Sequence, residues 1–116
     1  MKSNEKILDN LASDVARTVS FTLSREFSEG VQNNTSWARG RDYEFGLSFG
    51  LVYSTCSGMG LPGPDFDFVH TRALSIVFSI EDSEVLERWQ RLKEKNEQDF
   101  IQGLSDAKRL VRVRAE

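Results

Sequence analysis

One cysteine, one histidine, two prolines and no long apolar run mark what this chain of 116 residues lacks. The single cysteine, Cys56, rules out an internal disulfide and agrees with a reducing compartment. With one histidine and no nucleophile-elbow motif, no base is placed beside Cys56 or Ser57, so a cysteine or serine nucleophile finds no support. No stretch approaches the roughly eighteen apolar residues of a membrane span. The N-terminal residues Met1 to Lys6 carry no apolar signal core, from which a cytoplasmic protein without a membrane partner is expected. No repeat or low-complexity segment is visible. The net charge of −3 argues against a general binder of nucleic acid or acidic membrane. Basic residues gather only at the end, as Lys108, Arg109, Arg112 and Arg114, where cations suit the last turns of a helix.

What is present is ordinary for a globular domain, with 39% apolar and 28% charged residues. A chain of this length forms one domain, residues 1–116, and buries about two-thirds of its unfolded surface.

The middle of the chain carries the strongest pattern. Trp37, Arg39, Arg41, Tyr43, Phe45, Leu47, Phe49, Leu51 and Tyr53 fill the odd positions of one run. Phe66, Phe68, His70, Arg72, Leu74, Ile76, Phe78 and Ile80 fill the even positions of another. A period of two predicts strands, and the pair reads as a long antiparallel β-hairpin over about 37–80. Before it, Ile7, Leu8, Leu11 and Val15 predict an amphipathic helix over 3–16. That helix either continues through Val19, Leu23 and Phe27 to a C-cap at Gly30, or gives way to a third strand at 19–24. After the hairpin, Asp82 or Ser83 opens a C-terminal helix with Val85, Leu86, Trp89 and Leu92 on one stripe. The stripe lapses and returns at Phe100, so the segment is one long helix or is divided at Gly103. The expected fold is α+β in the order α-β-β-α, with two amphipathic helices packed on the hairpin.

Between the large residues lie small ones: Gly46, Ser48, Gly50, Ala73 and Ser75 share the other hairpin face. A solvated sheet face carries charged residues, so this face is read as an approach surface for a second copy, most simply in a two-fold dimer. The connection Ser57 to Pro64 contains Gly58, Met59, Gly60, Leu61 and Gly63. It is long for a hairpin loop, and its amides could cradle an anion, though no phosphate-binding motif is present. Trp37, Arg39 and Arg41 could stack on a base or clamp a phosphate, while ion pairing to Glu81 and Asp82 explains the arginines as well. Asp65, Asp67 and His70 suggest a metal, yet on a strand the aspartates and the histidine point to opposite faces.

No catalytic constellation, metal site or cofactor motif is expected from these residues. The sequence therefore points to a non-enzymatic protein acting by protein–protein interaction, as an inhibitor, adaptor or assembly component. The alternative is a binder of an anionic small ligand such as a nucleotide, held by Arg39, Arg41 and the glycine-rich loop.

Overall fold

Five helices make up most of the described chain. In the computed structural model, which describes residues 2–32 and 40–115 (side chains of 5–25 and 40–110), they are α1 Lys2–Gln32, α2 Arg41–Ser57, α3 Gly63–Phe78, α4 Asp82–Glu94 and α5 Gln98–Ala115. Each described break has its own chemistry. After α2, Gly60 turns the chain with φ of 66°, and Pro62 then leads into α3, whose first turn carries Pro64. α3 stops where Ser79 adopts the left-handed conformation and the Ile80 amide donates back to the Ser75 carbonyl at 3.1 Å. α4 and α5 part at Asn96, φ 53°, a residue type that tolerates this region. None of the described helices is long and apolar enough to cross a membrane.

The expected α+β fold and its β-hairpin are therefore corrected: the described residues contain no strand, and the segments read as strands are α2 and α3. The physical reason lies in the periodicity. On a helix, alternate positions fall into two rows at i, i+4 spacing. In α2 these rows are Tyr43–Leu47–Leu51 and Phe45–Phe49–Tyr53. Because neighbours pack on more than one side of α2, both rows are filled with large residues. Buried α3 positions follow an ordinary helical stripe, Val69, His70, Ala73 and Leu74. The two segments still fold back on each other, but as helices, and the Tyr53 and Phe66 rings meet at 5.2 Å.

Gly46 and Gly50 lie between the two α2 rows, where α5 crosses. A Cβ on Gly46 would collide with the Phe100 carbonyl, and one on Gly50 would stand 2.5 Å from the Ala107 methyl carbon. From the other side, a Cβ on Gly103 would stand 2.6 Å from the Leu47 nitrogen. Three glycines and an alanine thus let the backbones of α2 and α5 approach closely. The surface that covers Gly46 and Gly50 is α5 of the same chain. Ser48 and Ala73 are fully buried, and the Ser75 hydroxyl donates to the Ile80 carbonyl at the end of α3. Tyr43 on α2 donates to Asp106 on α5, which also accepts from Gln102 at 2.9 Å.

Of the alternatives left open for α1 the continuous helix is the one that forms, while the C-terminal segment divides elsewhere than expected. α1 runs unbroken through 17–28, so no third strand forms there, and it passes Gly30 to end at Gln32. The C-terminal segment is divided at Asn96, not at Gly103, which sits buried inside α5. α1 packs mainly on α3 through a stripe that includes Ala12, Val15, Ala16 and Val19. Arg72 ties three helices together: from α3 it reaches Asp9 on α1 at 2.7 Å and Asp82 on α4 at 3.1 Å, with its guanidinium over Phe68.

Candidate functional site: an aromatic pocket between α2, α3 and α4

α2 and α3 diverge enough for α4 to close a hollow between them. Its volume is about 370 Å³. Phe49 and Tyr53 enter it from α2, Phe66, Asp67, His70 and Thr71 from α3, and Val85, Leu86 and Trp89 from α4. Helical spacing gathers each set: Phe49/Tyr53 and Phe66/His70 lie four apart, and Val85/Trp89 likewise. The size falls within the range of small-molecule sites, and most of the lining is apolar or aromatic with few polar groups, as such sites are.

The rings hold one another in place. Phe49 stacks on Trp89 at 5.9 Å with planes 7° apart, and its ring meets His70 edge-on at 4.4 Å. Phe66 stacks on His70 at 5.9 Å, and Tyr53 meets it at the same distance nearly perpendicular. The Lys93 ammonium lies 4.8 Å over Trp89, which fixes the outer wall.

His70 is the polar centre of this arrangement. The residue is 8% exposed, and its Nε2 is buried without a hydrogen-bond partner. Burial lowers its pKa from the ordinary 6.5, while a hydrogen bond to the Phe49 backbone and the Asp67 charge push the other way. Burial thus favours the neutral ring.

Only part of the sequence-based site is brought here. On a helix Asp67 and His70 lie three apart and share a side, unlike the opposite faces that a strand imposes. Asp65 stays in the first turn of α3, outside the pocket lining. No group of three or more histidine, cysteine or acidic side chains converges on one point among the described residues. Trp37 and Arg39 lie outside the described residues. Arg41 begins α2 and, with Glu44, Phe78, Ile80 and Arg88, lines a smaller hollow of about 240 Å³. Gly58, Met59, Gly60 and Leu61 form the turn at the other end of α2, and Gly63 opens α3. Met59 is exposed there, whereas Leu61 packs on the core. The 17 residues of α2 hold Arg41 and this turn about 25 Å apart, so the two do not meet around one small ligand.

Phe49, Tyr53, Phe66, Leu86 and Trp89 were not singled out as a site by sequence reasoning. The available signal was the i, i+4 pairing of rings in two successive segments, Phe49/Tyr53 and Phe66/His70, followed by Val85/Trp89 in the third. It became visible only once those segments were helices. Compared with protein-family models, with curated proteins and with solved structures, the chain matches none.

Proposed function

We propose that this chain is a non-enzymatic binding protein that holds a small, apolar, ring-bearing ligand between α2, α3 and α4. The observation that carries the reading is the 370 Å³ hollow walled by Phe49, Tyr53, Phe66 and Trp89, with His70 in its lining. Asp67 in the lining, together with a histidine kept neutral by burial, disfavours an anion, so the ligand class differs from a nucleotide. The one thiol, Cys56, is buried outside the pocket lining. Its lone, buried state also supports a reducing, cytoplasmic setting.

A thermal-shift and NMR screen of one- and two-ring aromatic compounds beside phosphates and nucleotides tests this reading. Ring compounds should raise the melting temperature and shift the side-chain resonances of His70 and Trp89. A panel in which phosphates stabilise the protein and ring compounds do not would defeat it.

A second reading, a protein partner that inserts a side chain, is favoured by Tyr53 and Leu86, each 53% exposed in the pocket lining. Serine at both positions separates the two readings. A partner laid across the rim loses affinity through both changes. A ligand enclosed by Phe49, Phe66 and Trp89 keeps most of its affinity when Leu86 is changed.

A further inference from the structure

The hollow between α2, α3 and α4 has a buried end and an open one. His70 and Val85, 8% and 2% exposed, lie at its floor, while Asp67, Tyr53 and Leu86 are exposed and form its rim. Asp67 is the only carboxylate in the lining, and no lysine or arginine lines the hollow. Among the described residues no ion pair engages Asp67. Aromatic faces carry negative potential, so the rings around this carboxylate add to its attraction for a cation. Lys93 over Trp89 already uses that attraction on the outer wall. It is the one described cation seated on a ring of the lining, and the rings of Tyr53 and Phe66 hold none. Burial favours a neutral His70, so no positive charge at the floor opposes a cation. An ammonium carried down to His70 and Val85 would lose its water without gaining an acidic partner, whereas an apolar ring gains by the same burial. The ring therefore goes inward and the charge stays at the rim.

We propose that the ligand is a ring-bearing organic cation, a protonated arylalkylamine, whose ring fills the hollow and whose ammonium stands at the rim beside Asp67 and the Tyr53 ring. The inference rests on the pocket reading above and narrows that ligand to one with an apolar ring at one end and a positive charge at the other. Asp67 supplies the opposite charge and Tyr53 a ring face within reach of solvent. Phe49 and Trp89, stacked with planes 7° apart, form the apolar wall against which the ligand's ring lies.

Phenethylamine, phenethyl alcohol and hydrocinnamate share a phenyl ring and a two-carbon tether, and at neutral pH they are a cation, a neutral molecule and an anion. Calorimetric titration of the protein with each, in low and in high salt, tests the proposal. The amine should bind about fivefold more tightly than the alcohol, the worth of one exposed ion pair and ring contact, and hydrocinnamate most weakly. High salt should narrow the margin of amine over alcohol. Most of that margin should go in Asp67→Asn, a change at an exposed position that the fold tolerates. Salt dependence in the parent reads the same charge without any variant. Equal binding of amine and alcohol, or tightest binding of hydrocinnamate, overturns the charge requirement and leaves the ring pocket standing. A margin that survives both Asp67→Asn and high salt undiminished overturns the placement of the ammonium beside Asp67. Binding of none of the three overturns the cation and the pocket reading together.

Discussion

Gly50 on α2 and Ala107 on α5 face each other so closely that a Cβ on the glycine would stand 2.5 Å from the alanine methyl carbon. No real Cβ pair sits that near, so the absence of a side chain at 50 sets the distance between two helices. Gly46 repeats the relationship one turn earlier against the backbone of Phe100, and Gly103 answers it from α5. Helix propensity alone favours alanine over glycine by about 1 kcal/mol. The crossing reverses that preference.

Gly46→Ala and Gly50→Ala should therefore destabilise the protein. Overpacking costs about 1–3 kcal/mol and exceeds the propensity gain. Gly46→Ala should be the worse, because its obstacle is a main-chain carbonyl that cannot rotate away. Gly58→Ala is the control: the residue has φ of −71°, its missing Cβ would meet nothing nearer than the Thr55 carbonyl oxygen at 3.6 Å, and the change should be neutral or slightly stabilising. Urea unfolding of the three variants checks the order.

Ser48 carries a fully buried hydroxyl without a hydrogen-bond partner. Ser48→Ala removes an unpaired polar group from the core and should stabilise by about 1 kcal/mol. Ser48→Arg should prevent folding, since a guanidinium has no room or partner there. Thermal melts of both variants would show it, and a well-folded arginine variant would contradict this account of α2.

Arg72 should matter more than its exposure suggests. Its side chain is 35% exposed and its partners Asp9 and Asp82 are 47% and 37% exposed, so solvent screens each pair. Arg72→Ala should cost about 1 kcal/mol, less in high salt. Lysine should restore only part of this, because one ammonium cannot address two carboxylates and lie flat on Phe68. Unfolding curves at low and high salt give both numbers.

His70 makes stability depend on acid. Its folded-state pKa lies below 6.5, so below pH 6.5 the unfolded chain binds a proton that the folded chain resists. Stability should fall as the pH drops from 6.5 to the folded-state value, then level off, with no contribution from His70 above 6.5. Asp67 is the one charge that opposes the shift. Asp67→Asn should therefore lower the His70 pKa further, which an NMR titration of the ring reads directly.

Cys56 gives the opposite dependence. Burial raises its pKa from 9.0 to about 11, so the protonated thiol stabilises the fold below pH 9.0, and this contribution is lost as the pH rises toward 11. Near pH 8 an alkylating reagent should modify Cys56 only as fast as the protein opens. Prompt labelling of the folded protein would show the thiol to be accessible.

Much of the local chemistry was legible. The α1 stripe of Leu8, Leu11 and Val15 reads directly as helix, as does the α4 stripe of Val85 and Leu92. The turn from Gly58 to Pro64 was placed by its glycines and prolines. The pocket was not legible, because Phe49, Tyr53, Phe66 and His70 looked like members of strand faces. On strands they carry no relation to Trp89.

By itself, the sequence determined the helical stripes of α1 and α4, the turn between α2 and α3, and that Gly46 and Gly50 favour a close neighbour. The tertiary structure decided that 41–57 and 63–78 are helices, and that the neighbour is α5. A side-chain pattern reports whether a position is buried, not from how many directions. A helix covered on two sides fills two rows with large residues and thereby reproduces the alternation of a strand covered on one. Only the packing of α1, α3 and α5 around α2 distinguishes the two, and the same helical form of α2 and α3 brings Phe49, Tyr53, Phe66 and His70 to one pocket beside Trp89.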